Sequence, residues 1–161
     1  MPWPLVQFQP PLPFFMQTFL PFEDFQASAC VLDRMRLGKQ RVECKQILQA
    51  LKNGPYQVGE DGIRKTPWYN HPATKMWRGH EQALIRYSIE VCERWIGLGY
   101  SDSLLPHFKS LWKRRVAYPK WLGNSDFHRS HRSNLLRKNP NYYKSCGWEE
   151  PDNLPYVWPL P

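Results

Sequence analysis

LDRMRLGKQRVECKQILQAL, residues Leu32–Leu51, decides how this chain is read. At roughly 100° per residue, its Leu37, Gln40, Cys44, Ile47, Leu48 and Leu51 fall on one stripe, which predicts an amphipathic helix with a single buried face. Arg34, Arg36, Lys39 and Arg41 crowd its first half, and one carboxylate, Glu43, follows. Arg36, Lys39 and Glu43 lie together along one edge of the stripe, whereas Arg41 and Lys45 lie across the helix. Glu43 is therefore expected at the margin of the core with cations in reach. Burial raises a carboxyl pKa and cations lower it, and the sequence leaves that contest open. The plainer reading is a solvated basic face with an ordinary i,i+4 Lys39–Glu43 pair.

The totals around this helix narrow the partners. A chain of 161 residues fits one domain with enough material for a core. Its 22 Lys and Arg outnumber 14 Asp and Glu, for a net charge of +8, which points to a polyanion, nucleic acid first and acidic membrane second. No stretch is long and apolar enough to span a membrane. Residues 1–15, MPWPLVQFQPPLPFF, are apolar but proline-rich and lack the basic start of a signal peptide. They read as an irregular arm, or as an extension upstream of a start at Met16. Cys30, Cys44, Cys92 and Cys146 form no CxxC pair, so reduced thiols in a cytoplasmic protein are the simplest expectation.

The remaining patterns predict an all-α fold, a single compact helical domain over residues 16–145 with irregular Pro-rich arms at 1–15 and 146–161. Glu23 or Asp24 is expected to cap a helix over Phe25–Arg34, and Gly38 to interrupt the path into the second helix. That helix should end near Lys52, before Asn53-Gly54-Pro55. Tyr56–Tyr69 carries no clear element. Asn70-His71-Pro72 is a helix start. Met76, His80, Ala83, Leu84, Tyr87, Val91 and Trp95 then predict the longest helix, with His80 in the core and Arg78, Arg86 and Arg94 in solvent, Arg94 paired with Glu90. A short helix follows over Leu104–Trp112. Ser125 or Asp126 should cap another that reaches Lys138, and Tyr156 and Trp158 are available to pack the tail.

A second basic cluster, FHRSHRSNLLRK, spans Phe127–Lys138. His128 and His131 share a helix face, as do Arg129 and Arg132, a spacing suited to gripping phosphates. A metal at the two histidines is disfavoured by the adjacent arginines and the absence of further ligands. His71, at a helix start, is disfavoured as imidazolium by the dipole, so it reads as a cap or as a neutral donor to phosphate. The signatures of P-loop, dinucleotide, nucleophile-elbow, zinc-peptidase and deaminase chemistry are missing, and the acids do not cluster for a two-metal nuclease. Metal-free glycosidic cleavage on DNA, with no cofactor, remains compatible with such a residue set.

With those residues in view, the chain resembles the superfamily of pyrimidine-dimer DNA glycosylases of the phage endonuclease V type. The resemblance rests on Glu43–Leu48 (ECKQIL, an ExxQxL helix), on Asn70-His71-Pro72 with Lys75 after it, and on Asn139–Tyr143, ending in two tyrosines. It covers most of Met16–Tyr143, and LGKQRVE, NHP and FHRSHRSNLLRK look like a distinct bacterial branch. The resemblance implies an all-helical enzyme that flips a base out of duplex DNA and cleaves its glycosidic bond. Glu43 matches the catalytic acid, and Arg36 takes the place of a basic group two turns earlier. The family's nucleophile is the α-amine of the mature N-terminus, and Gln17 matches that position. Methionine is not normally removed before glutamine, and residues 1–15 would block that amine in a chain begun at Met1. The expectation is therefore a glycosylase without dependable lyase activity, acting as a monomer on damaged or modified bases. Arg34, Lys39, Arg41, His71, Lys75, Arg129, His131, Arg132, Arg137 and Lys138 are the expected DNA contacts. The alternatives are a non-catalytic module that binds distorted DNA, and a basic helical domain with a protein partner.

Overall fold

The computed structural model describes residues 16–159, so the expected arm at 1–15 lies outside the described residues. The first helix, α1 (Phe25–Val31), starts where Asp24 accepts a hydrogen bond from the Ala27 amide at 2.7 Å. It stops three residues short of the expected Arg34, because Leu32 and Asp33 turn extended. The second, α2 (Arg34–Asn53), is unbroken and is closed by Gly54 at φ 71°. Gly38 does not interrupt it. Instead the missing Cβ lets the Trp95 ring approach, to 3.1 Å from where that atom would stand. A bare helix position has become a helix-packing contact.

A hairpin corrects the all-α expectation. Strands β1 (Tyr56–Gly59) and β2 (Gly62–Lys65) pair antiparallel, with Tyr56 opposite Lys65 and Gly59 opposite Gly62. Both strands are largely exposed, so they carry no alternation of buried and polar residues. Their two-residue loop is Glu60-Asp61, and Gly62 follows at φ 104°.

The long helix expected after His71 is two helices. His71 caps α3 (Pro72–Lys75), its Nδ1 accepting from the Ala73 amide at 3.0 Å. Gly79, at φ 82°, then breaks the path before α4 (Glu81–Gly97). The apolar spacing survives across that break, which is why periodicity alone joined the two. α2, at 20 residues, is the longest helix. His80 begins α4, half-buried rather than in the core. Glu90 pairs with Arg86 and not with Arg94, and Arg78 stacks over Tyr69 at 4.2 Å.

Helix α4 is the hub. Its buried Ala83, Leu84, Tyr87, Val91 and Cys92 meet α1, α2 and α5 (Leu105–Leu111). The Asp102 carboxylate precedes α5 and accepts from the Leu104 and Leu105 amides. Helix α6 (Ser125–Lys138) is capped by Asn124, one residue before the expected pair, and leads into α7 (Pro140–Tyr143). The tail is irregular but docked. Ser133 and Ser130 of α6 accept from the Leu154 and Val157 amides, and Tyr156, Val157 and Trp158 are buried.

Residues 16–21 run extended through the interior without a sheet, so side chains must satisfy their backbone. The two histidines of α6 do this for Leu20. His131 Nδ1 accepts from its amide at 2.9 Å, and His128 Nδ1 donates to its carbonyl at 2.8 Å. Burial, first of all, holds the pKa of both rings below the ordinary imidazole value. Among the described residues no helix is long and apolar enough to cross a membrane.

Two glycines test the backbone account. Gly79→Ala forces an L side chain into a left-handed conformation and should lower stability in urea by about 1–2 kcal/mol. Gly97→Ala lies in helical backbone with open space around it, so it should raise stability by about 0.4–1 kcal/mol.

Candidate active site

Helix α2 delivers Glu43 to the end of a small cavity of about 70 Å³, lined by Gln17, Phe19, Met35, Arg36, Lys39, Gln40, Glu43 and Lys138. Glu43 is 9 % exposed. Two neutral donors hold its carboxyl: Gln40 Nε2, 2.9 Å from Oε2, and the backbone N–H of Gln17. Desolvation pushes its pKa up to about 7, against the opposing pull of Lys39, the two hydrogen bonds and Lys138. Burial therefore wins the contest that the sequence left open, and the carboxyl is half protonated near neutral pH.

Gln40 is itself fully buried, and every polar position of its amide is used. Nε2 also donates to the Gln17 carbonyl at 2.7 Å, and Oε1 accepts from the Phe19 amide at 2.9 Å. The Tyr87 hydroxyl lies 2.9 Å from Oε1 and 2.6 Å from the Phe19 carbonyl, its one proton shared between them. The extended segment, α2 and α4 thus meet at one side chain, and that side chain orients Glu43.

The cationic wall has its own support. Arg36 is 3.2 Å from the Asp33 carboxylate, which also receives the Tyr143 hydroxyl proton, while the Asp33 amide donates back to that hydroxyl at 2.9 Å. Tyr143 of α7 thereby fixes Asp33, and Asp33 fixes Arg36. Lys39 is exposed at the rim. Lys138, in the last turn of α6, reaches the same cavity half-buried. Burial, then the charges of Arg36, Arg137 and Lys39, push its pKa down, and Glu43 pulls the other way.

The expected DNA contacts divide accordingly. Arg36, Lys39 and Lys138 share the cavity with Glu43. Arg34 is exposed one turn before, over the Tyr100 ring at 4.8 Å, and Arg137 is exposed beside Lys138, donating to Asn134. Arg129 is exposed on α6, 3.9 Å from Asp126, and Lys75 is half-buried at the end of α3. Three residues have structural work instead. Arg41 is ion-paired to Asp102 and lies over the Trp95 ring at 4.5 Å. His131 is fully buried on Leu20. Arg132 joins Glu150 to the Pro21 carbonyl. His71 is a buried cap whose pKa burial lowers to about 4, so its imidazole is neutral.

The roles of Gln40 and Asp33 escaped the sequence reading, which took Gln17 only as the match to the family's nucleophile position and Tyr143 only as the end of a motif. For Gln40 a signal existed: an amide on an apolar stripe must find partners once buried, and an acid stood three residues on. The other three are brought together only by tertiary contact. A wider cleft of about 610 Å³ is lined by Glu23, Asp24, Phe25, Gln26, Arg86, Glu90, Tyr118 and Leu122. Its three carboxylates against one arginine have the wrong sign for a polyanion. Among the described residues no three His, Cys, Asp or Glu converge as metal ligands.

The sequence model of the pyrimidine dimer DNA glycosylase family matches residues 16–105, more than half of the chain. This span contains Glu43, Gln40, Arg36, Lys39 and Gln17, but not Lys138. Comparison with curated proteins and with solved structures finds no match.

Glu43 predicts a pH signature in stability. Its folded pKa of about 7 exceeds the ordinary 4.5, so the folded state holds the proton more tightly. Its contribution is present below the ordinary value and lost as pH rises through about 7. Between pH 4.5 and 8 the native chain should lose roughly 3 kcal/mol relative to Glu43→Gln, measured by urea denaturation of both. Parallel pH profiles for the two proteins would contradict the assignment.

Proposed function

The chain belongs to the pyrimidine dimer DNA glycosylase family, and from that premise we propose that it excises damaged, pyrimidine-dimer-like bases from duplex DNA, with Glu43 as its catalytic carboxyl. The observation that carries the reading is a single buried acid, pushed up to about 7 and held by Gln40, in a cavity rimmed by Arg36, Lys39 and Lys138. A carboxyl balanced near neutral pH serves proton transfer well, because both of its forms are populated.

The division of labour follows from charge and burial. Arg34, Arg36 and Lys39 hold phosphates beside the lesion, and Arg137 and Arg129 extend the grip along the strand. Distorting the duplex brings the sugar of the damaged nucleotide to the cavity mouth. Protonated Glu43 gives its proton to the departing base, and the resulting carboxylate faces a sugar that has gained cationic character; water bonds to C1′ and returns a proton to Glu43. Gln40 keeps the carboxyl aimed throughout. Gln17, which matches the family's nucleophile position, brings its backbone nitrogen to this carboxyl. With Met16 before it, that nitrogen is an amide and carries no attacking lone pair.

Three outcomes test the proposal on UV-irradiated duplex DNA. A dimerised base stays joined to its neighbour after its glycosidic bond breaks, so the readout is the abasic sugar, and Glu43→Gln should lower its formation at least about 100-fold while leaving the affinity for DNA within a few fold. A native protein that binds the DNA but leaves no abasic sugar would make the chain a binding module instead. The rate of glycosidic cleavage should fall as pH rises through about 7, since the protonated carboxyl is the donor. Affinity should fall with salt at a log–log slope of about −0.9 for each phosphate neutralised, and Arg36→Gln should make that slope shallower by roughly one phosphate.

A further inference from the structure

We propose that Met35 is the apolar plug of this site, its side chain entering the base stack of the duplex at the gap that opens when a nucleotide is displaced beside Glu43. The inference rests on the excision reading above and deepens it by naming what keeps the duplex open.

The position selects the residue. Met35 lies in the first turn of α2 and is 68 % exposed. Of the exposed large apolar side chains among the described residues, it is the one that lines the Glu43 cavity. A strand whose sugar reaches Glu43 therefore meets Met35 at the mouth. Single exposed apolar residues are ordinary on protein surfaces, but the neighbours of this one are not neutral. Arg34 before it is exposed, Arg36 after it lines the cavity, and Lys39 stands one turn further on. Those cations draw phosphates to the rim on which Met35 stands. A thioether gains nothing from a phosphate, and the partner that suits it there is the apolar face of a base.

The site also needs such a group. The cavity of about 70 Å³ has room for roughly two waters and none for a nucleobase. A displaced base is not stored beside Glu43, so the opening in the duplex is held from the protein surface. Displacement forfeits stacking on the neighbouring bases, and an inserted apolar side chain recovers part of that loss. Methionine is unbranched and adapts to an irregular gap. The backbone beneath it is fixed on both sides. Two residues earlier, Asp33 is held by the Tyr143 hydroxyl, and two residues later, Leu37 is fully buried. Met35 thus combines a free side chain with an anchored base.

The test uses duplex DNA that carries one pyrimidine dimer with 2-aminopurine beside it, a base whose fluorescence rises when it loses its stacking. Glu43→Gln protein reports insertion without cleavage, and it should raise the fluorescence on binding. Adding Met35→Ala or Met35→Gln should abolish most of that rise, and adding Met35→Leu should keep it. With Glu43 intact, Met35→Ala should slow formation of the abasic sugar at least about tenfold, with the salt slope of binding unchanged because the cations remain. All three replacements favour helix at an exposed position, so the fold is retained. Val42, exposed on the same helix but not lining the cavity, is the control, and Val42→Ala should match the native protein. A rise that survives Met35→Ala overturns the proposal, as does an equal loss in Val42→Ala. Abasic sugar formed at the native rate by Met35→Ala overturns the plug and leaves the excision reading standing. A rise that depends on Met35, with no abasic sugar from the native protein, upholds the plug and removes the excision reading.

Discussion

One buried amide holds this structure to its purpose. The extended segment at residues 16–21 crosses the interior with no neighbouring strand, so each of its backbone groups costs free energy unless a side chain meets it. Gln40 meets three partners around that segment and spends its remaining donor on Glu43. Its position on the apolar stripe of α2 fixes how deep the segment lies and how far Glu43 is withdrawn from water. Tyr87 of α4 and the two histidines of α6 complete the lining, so the helices that form the core also seat the strand-like segment at the site.

The electrostatics follow from that placement. A carboxyl beside the two lysines Lys39 and Lys138 would ordinarily be acidic. Here desolvation outweighs them, and Glu43 titrates near neutrality. Burial, with the charges of Arg36, Arg137 and Lys39, also lowers the pKa of Lys138. Arg36 pairs with Asp33, itself held by Tyr143, rather than with Glu43, so the guanidinium is fixed in place without drawing on the acid. Family membership and this arrangement support the proposed excision by separate routes, one through sequence likeness and one through a buried acid in a cation-rimmed cavity.

Much of this was legible in α2 alone. Helical angle placed Arg36, Lys39 and Glu43 on one edge, and they do line one cavity, because helical geometry is local and needs no knowledge of the rest of the fold. What lay beyond a single element was harder to read. The break at Gly79 leaves the apolar period intact, and the hairpin at Tyr56–Lys65 is exposed on both strands, so neither left a periodic trace. The histidines of α6 looked like a phosphate grip at i,i+3, yet that same spacing lets them clamp one buried peptide unit. Arg41 was counted with the cations of its helix, but it points across to an acid, Asp102, from a distant loop. Charge counts on a sequence do not reveal which cations already have tertiary partners.

The most direct measurement is the titration of the Glu43 carboxyl itself, followed by carbon NMR of the side chain in the native chain and in Gln40→Leu. The account requires a midpoint near 7 in the native protein and a displaced midpoint once Gln40 is lost. A Glu43 midpoint in the ordinary carboxylate range near 4.5 would contradict it, because an exposed acid among cations is the solvated basic face that the sequence also allowed.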